Sequence, residues 1–302
     1  MSPRLVSALE WREHDGLYKC HLLLHDHGYT SLPLTPGAKL NFIIQPGRRC
    51  IGYHQLASQT SPGEWRRLTP CPTSSLARGG PQCPSCQARD AAAPCLRCRG
   101  ETCTALGPVR DACRNSQAYV YLAAFNGKLK VGVTREGRCM TRWVEQGADA
   151  ALRVLTGNGS EVRRLEHLIH TQLGIPESVR SGAKASALSG EDKTKQALIL
   201  LEETRRRVHP LASQSQRFNE DPWILVPHYS IPAIKQKPIL LRVDDGVAVA
   251  GEVVGVKGPT LLLRSGEVYF VLGLSALLGR SIETLTDGAR SQVGLDKFIK
   301  RG

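Results

Sequence analysis

The chain has 302 residues, with 41% hydrophobic and 22% charged residues, close to soluble averages, which excludes a wholly disordered or fibrous protein and leaves room for two or three modest domains. Forty Lys and Arg against 27 Asp and Glu leave a net charge of +13, a balance that favours polyanionic partners, nucleic acid first among them. The opening residues lack an apolar signal region and no apolar run approaches the roughly 18 residues of a membrane span, so a cytoplasmic protein without a membrane partner is expected. There, ten cysteines read better as metal ligands than as disulfides.

Residues 1–60 carry short apolar runs, Tyr18 to Leu24 and Leu40 to Ile44, broken by Gly, Pro and His. They read as a β-rich unit. Residues 61–113 hold the cysteine cluster: Cys71, then Cys83-Pro-Ser-Cys86, Cys95-Leu-Arg-Cys98 and Cys103. A CxxC turn lets two thiolates converge on one tetrahedral ion, and two such turns complete the four sulfur ligands that structural zinc prefers. The Cys98 to Cys103 pair, with Gly100 suited to a tight knuckle, competes for places. Zinc is expected on four of these six cysteines, as a closed structural site and not as a thioredoxin-like redox pair. Cys50, near His54, is a further candidate, whereas Cys20, Cys113 and Cys139 read as isolated core or surface residues.

Residues 114–210 begin with Tyr119 to Phe125, Asn126-Gly127 and Lys128 to Thr134. Asn-Gly between two such runs predicts a hairpin, because a type I′ turn needs positive φ at both central residues. The register then pairs Phe125 with Lys128, Ala123 with Lys130, Tyr121 with Gly132 and Tyr119 with Thr134. Alternation places Val120, Leu122, Ala124, Leu129, Val131 and Val133 on a core face. The opposite face carries Tyr119, Tyr121, Phe125, Lys128, Lys130 and Thr134, aromatics among lysines around a glycine, which suits a phosphate-bearing ligand. An ordinary half-solvated sheet face is the competing reading.

Met140, Val144, Ala148 and Ala151 then recur at helical spacing, with Arg138, Arg142, Gln146 and Asp149 on the other side. A second helix follows Asn158-Gly159, with Ser160 as its N-cap, Val162, Leu165 and Ile169 as its apolar stripe, and Arg163, Glu166 and His170 on another face. A helix from Glu191 to Val208 ends in Arg205-Arg206-Arg207, which either contact phosphates or oppose the macrodipole. Residues 211–238 read as a linker. In residues 239–302, four strand candidates (Ile239 to Val243, Val247 to Val256, Thr260 to Leu263, Val268 to Leu272) with Gly turns suggest a small barrel-like domain.

The segments Ala118-Tyr119-Val120-Tyr121, Lys130-Val131-Gly132-Val133-Thr134, Arg142-Trp143-Val144-Glu145-Gln146 and Glu166 together resemble the GIY-YIG endonuclease superfamily. Lys130 stands where a second signature tyrosine is expected, and Gln146 where many members have histidine. The chain as a whole resembles an uncharacterised archaeal and actinobacterial family of unknown function, in which a zinc cluster precedes such a core. The resemblance implies an α+β fold: a GIY-YIG-like mixed core preceded by a β-rich zinc-binding region and followed by a small β-barrel-like domain. It implies Tyr119, Tyr121, Lys130, Arg142 and Glu166 as catalytic candidates, with Glu166 holding Mg²⁺ or Mn²⁺. Lys128, Lys130, Arg138 and Gln146 are the nucleic-acid-binding candidates. The expected function is a zinc-stabilised nucleic-acid-binding protein whose GIY-YIG-like core is degenerate. A Mg²⁺-dependent phosphodiester endonuclease and a zinc-stabilised protein-interaction scaffold are the alternatives.

Overall fold

The computed structural model describes residues 2–56, 66–96, 98–105, 107–179, 193–234 and 236–285. The chain divides into two compact units, one of residues 1–53, 69–88 and 229–302, the other of residues 54–68 and 89–228.

The first unit is built on a nine-stranded sheet. Its N-terminal strands are β1 (Arg4–His14), β2 (Leu17–His25), β3 (Tyr29–Pro33) and β4 (Lys39–Ile44). The Asp15-Gly16 turn between β1 and β2 has positive φ at both residues, 51° and 73°, the geometry that matches the twist of a tight hairpin. Leu22 and Leu24 alternate inward along β2 beside Val6 and Trp11 of β1, and all four are buried.

The C-terminal strands are β11 (Ile239–Leu241), β12 (Ala248–Lys257), β13 (Thr260–Ser265), β14 (Val268–Gly273) and β15 (Ser281–Thr284). The sheet order is β11-β14-β13-β12-β4-β15-β1-β2-β3. The barrel-like domain expected at the C-terminus is therefore not formed: these strands extend the N-terminal sheet, with β4 between β12 and β15, and among the described residues no sheet closes on itself. The physical reason is edge satisfaction, since β12 and β15 pair their open backbone groups with β4 instead of with each other.

All but Tyr53 and Thr69 of the short ribbon of β5 (Tyr53–Leu56) and β6 (Arg66–Thr69) belong to the second unit, which also holds a four-stranded antiparallel sheet. That sheet comprises β7 (Gln117–Phe125), β8 (Lys128–Arg135), β9 (Ala150–Asn158) and β10 (Trp223–Ile224), in the order β10-β9-β7-β8. The β7–β8 register is the one the Asn-Gly turn predicts, Phe125 opposite Lys128 and Tyr121 opposite Gly132, with φ of 47° and 78° at Asn126 and Gly127. Val120, Leu122, Ala124 and Val131 are buried in one cluster with Leu152, Leu155, Val162, Ile169, Ala197 and Leu201.

The helices labelled below are α1 (Pro84–Arg89), α2 (Gly107–Asn115), α3 (Cys139–Gln146), α4 (Gly159–Leu173) and α5 (Thr194–Val208). Helix α3 stops at Gly147, whose left-handed backbone (φ 75°) returns its N–H to Trp143 and Val144 carbonyls, a glycine-dependent cap. Ala148 and Ala151 thus do not extend the helical stripe, and Ala150 opens β9, which pairs along β7. Helix α4 is capped by Asn158, not Ser160: the Asn158 side chain accepts from Ser160 and Glu161 N–H, and Glu161 reciprocates in a capping box.

The expected GIY-YIG-like core is also corrected. The hairpin face opposite the core is not an open tyrosine platform, because Tyr119, Tyr121, Phe125, Lys130 and Thr134 are all buried. Trp143 of α3 covers Tyr121 edge-on at 6.1 Å, and Phe218 covers Tyr119 at 5.0 Å. Large aromatic area removed from water outweighs the cost of burying the few polar atoms between the rings. Among the described residues, no helix is long and apolar enough to cross a membrane.

Candidate metal centre and cationic cleft

In the first unit, Cys50, Cys71, Cys83 and Cys86 bring their sulfurs within 4.8 Å of one another, and all four are buried. Three come from the expected set. Cys83 precedes α1 and Cys86 lies in its first turn, so the CxxC spacing converges its two thiols as a helical turn requires. Cys71 sits in a turn whose Ser74 N–H bonds the Cys71 carbonyl. The fourth sulfur is Cys50, where Cys95, Cys98 or Cys103 was expected; those three belong to the other unit.

The local signal for Cys50 is Cys50-Ile-Gly52. Gly52 has φ +94°, its N–H donates to Cys50 Sγ at 3.4 Å, and the N–H of Cys83 donates to the same sulfur at 3.1 Å. A Cβ at Gly52 would stand 1.9 Å from the Thr69 carbonyl oxygen, so only glycine fits. His54, the neighbour that had suggested Cys50 as a ligand, is engaged elsewhere: its Nδ1 lies 3.0 Å from the buried Asp90 carboxylate.

Burial raises the Cys86 and Cys50 thiols. Burial also raises Cys71, but hydrogen bonds from the Thr73 hydroxyl, the Ser75 and Thr73 backbone and Cys86 outweigh it and bring that thiol down to about 6. The cluster thus sets one thiol drawn below its usual range beside two that burial pushes above it, and a divalent cation would supply the charge that lets buried sulfurs ionise.

In the second unit, a cleft of about 710 Å³ opens between the β7–β8 hairpin, α3 and the first turns of α4. Arg99, Lys130, Arg135, Arg138, Arg142 and Arg163 line it, with Glu166, His167, Glu177 and the Tyr121 ring. Tyr121 is fully buried and its hydroxyl donates to Gln146 Oε1 at 3.1 Å. Gly132 opposite it has its own reason: a Cβ there would lie 2.4 Å from the tyrosine ring. That glycine makes room for a protein side chain, where close approach of a ligand had been expected.

Burial raises the Tyr121 hydroxyl, with Arg142 and Gln146 acting against it and Glu166 with it. Glu166 is pushed up to about 6, by burial first and by Glu177 second, against the pull of Arg163, Lys130 and Arg142. Arg142 is half exposed and 3.6 Å from Glu145, to which Arg138 donates at 2.9 Å. Lys130 lies 5.8 Å from the Tyr121 ring centre.

The cleft therefore gathers Tyr121, Lys130, Arg138, Arg142 and Glu166 from the sequence-based set. Tyr119 stands apart, its hydroxyl donating to Glu136 at 3.3 Å and its ring stacked 4.6 Å from the Arg153 guanidinium, which also donates to Glu220. Lys128 lines a separate cavity with Pro176, Leu200 and Arg207. Gln146 is buried behind Tyr121 and does not line the cleft. Arg163 was noted only as a helix-face residue; its spacing one turn before Glu166 was the available signal.

The family described as a protein of unknown function (DUF2797) matches residues 70–279. No curated protein and no solved structure matches the chain.

Proposed function

We propose that this chain, which belongs to the DUF2797 family, is a zinc-stabilised protein that binds nucleic acid in the cationic cleft of its second unit. Zinc is the ion that best suits four buried sulfurs, and a site closed by four protein ligands leaves no position for reacting water. Its role is to hold together a segment that has one short helix and little other regular structure.

The observation that carries the binding reading is the charge balance of the cleft: six Arg and Lys side chains against Glu166 and Glu177 on its walls and Glu145, which pairs with Arg138 and Arg142. Low-dielectric walls concentrate such a field, and a chain of phosphates is the common ligand that satisfies several guanidinium groups at once. Titration of labelled single- and double-stranded RNA and DNA at increasing salt tests it. Affinity should fall steeply with salt, and Arg142→Ala or Arg163→Ala should flatten that dependence by about one counterion each. Binding that is absent, or indifferent to salt, sinks the reading and favours a protein-binding scaffold.

One observation favours a second reading, metal-dependent phosphodiester hydrolysis. Glu166 is a half-buried carboxylate set among the arginines and lysine of the cleft and beside Tyr121. Such a carboxylate can hold Mg²⁺ or Mn²⁺ on a phosphate oxygen, with Arg142 offsetting developing charge and Tyr121 orienting the attacked group. Cleavage of the same labelled strands in the presence of Mg²⁺, abolished by Glu166→Ala, would support it; intact strands with either protein would leave binding alone.

A further inference from the structure

We infer that the second unit contains its own metal site, formed by Cys95, Cys98, Cys103 and Cys113 and taking a zinc ion. None of these four belongs to the first quartet, and all lie within residues 89–228, in one compact unit. Their spacing, two, four and nine intervening residues, is that of a short loop that folds back on itself.

The strongest sign is a repeated knuckle. Cys98-Arg-Gly100 reproduces the Cys50-Ile-Gly52 geometry: the glycine N–H points at the sulfur two residues before it at 3.4 Å in both, and the glycine φ is +85° in one and +94° in the other. Such an N–H donor spreads thiolate charge, and the positive φ turns the chain around the sulfur.

Independent packing brings Cys113 to the turn that seats this knuckle. The knuckle is seated on the first turn of α4: Ser160 Oγ donates to the Gly100 carbonyl at 2.9 Å and Arg163 Nη1 donates to the Cys98 carbonyl at 3.2 Å. A Cβ at Gly100 would strike the Ser160 carbonyl oxygen at 2.3 Å. Cys113, on α2, reaches that same turn, since a Cβ at Gly159 would lie 2.4 Å from its sulfur. Cys95, Cys98 and Cys113 line one wall of the cleft. Cys103 follows the Gly100 knuckle by three residues on the same loop.

The need for a staple is also local. Between α1 and α2 the described residues form a single 3-10 turn, Ala93–Leu96, Leu96 is 83% exposed and none of the described residues 95–105 is buried, so that stretch has little apolar burial to order it. All four cysteines are half-buried, whereas the first quartet is buried. Among the described residues, the first quartet alone has its sulfurs within 4.8 Å of one another, so the second ion would draw the 98–103 loop inward. The site does not depend on what the cleft binds.

The test is the metal content of the intact wild-type chain, purified from zinc-supplemented medium and measured by mass spectrometry with protein quantified by amino-acid analysis. About two zinc ions per chain are expected, released to a chromogenic chelator in two phases, because a half-buried site opens to competitor more readily than a buried one. Cys113→Ser and Cys98→Ser should each hold about one ion and lose the fast phase alone. About one ion in the wild type overturns the inference with no variant required. So does a wild type with about two ions whose Cys98→Ser and Cys113→Ser variants keep both. Should a variant aggregate, cobalt replacement in the wild type decides: the thiolate-to-metal absorption per chain should saturate at about two equivalents, and saturation at about one overturns the site.

Discussion

The quartet of Cys50, Cys71, Cys83 and Cys86 and the cleft around Tyr121 and Glu166 concentrate polar atoms in opposite ways. In the first, all four sulfurs are buried and mutually close, with backbone donors aimed at them. In the second, cations are gathered beyond what the local carboxylates neutralise, and a carboxylate is kept in surroundings that disfavour its charge. On the proposed function, the difference would separate a centre that holds the fold from a place where stability is given up for a field that a ligand can use.

The largest effect that would break this comparison is loss of the first metal. Cys83→Ser should abolish binding at that quartet and destabilise its unit by several kcal/mol, on the order of what a structural ion contributes to a small module. Thermal melts followed by circular dichroism, with and without chelator, measure it. A melting curve unchanged by both the variant and the chelator would remove the structural role.

Gly132→Ala comes next. The new methyl group would press on the buried Tyr121 ring at 2.4 Å, costing about 1–3 kcal/mol. Urea denaturation should show the loss, and a neutral result would mean that the Tyr121 ring is free to move.

Glu166→Gln sharpens the comparison in the other direction. The folded carboxyl keeps its proton up to about pH 6 whereas the unfolded one releases it near 4.5, so stability should fall as pH rises between those values and stay lower above them. The amide carries no such cost, and the variant should be more stable at pH 7 by up to about 2 kcal/mol, with a flatter pH profile. Denaturation at pH 4.5 and at pH 7 decides; a variant less stable at neutral pH would make Glu166 a structural partner.

The smallest effect on stability should be that of Arg142→Ala. Its guanidinium is half exposed, so removal should change stability by no more than about 0.5 kcal/mol while weakening salt-dependent strand binding. Equal losses in both measurements would place Arg142 in the scaffold and not in the cleft's function.

Local chemistry was legible in the sequence. Asn126-Gly127 set the β7–β8 turn and, through it, the register, because positive φ at two successive residues is a property of those residues themselves. The apolar face of the hairpin, the stripe of α4 and the convergence of Cys83 with Cys86 could also be read directly, since each depends on spacing within one element, whereas Cys71 was one of six candidates for four places. Tertiary structure decided the rest. Whether Cys50 or a member of the Cys95-Leu-Arg-Cys98 pair completes the quartet depends on which loop reaches α1. Whether the final strands close a barrel or extend a sheet depends on whether another strand offers them a free edge, and β4 does. Whether Tyr119 and Tyr121 share a site depends on Phe218 and Trp143, which cover one each. Contacts between segments far apart in the chain are selected by total burial and hydrogen-bond satisfaction, quantities that no single segment carries.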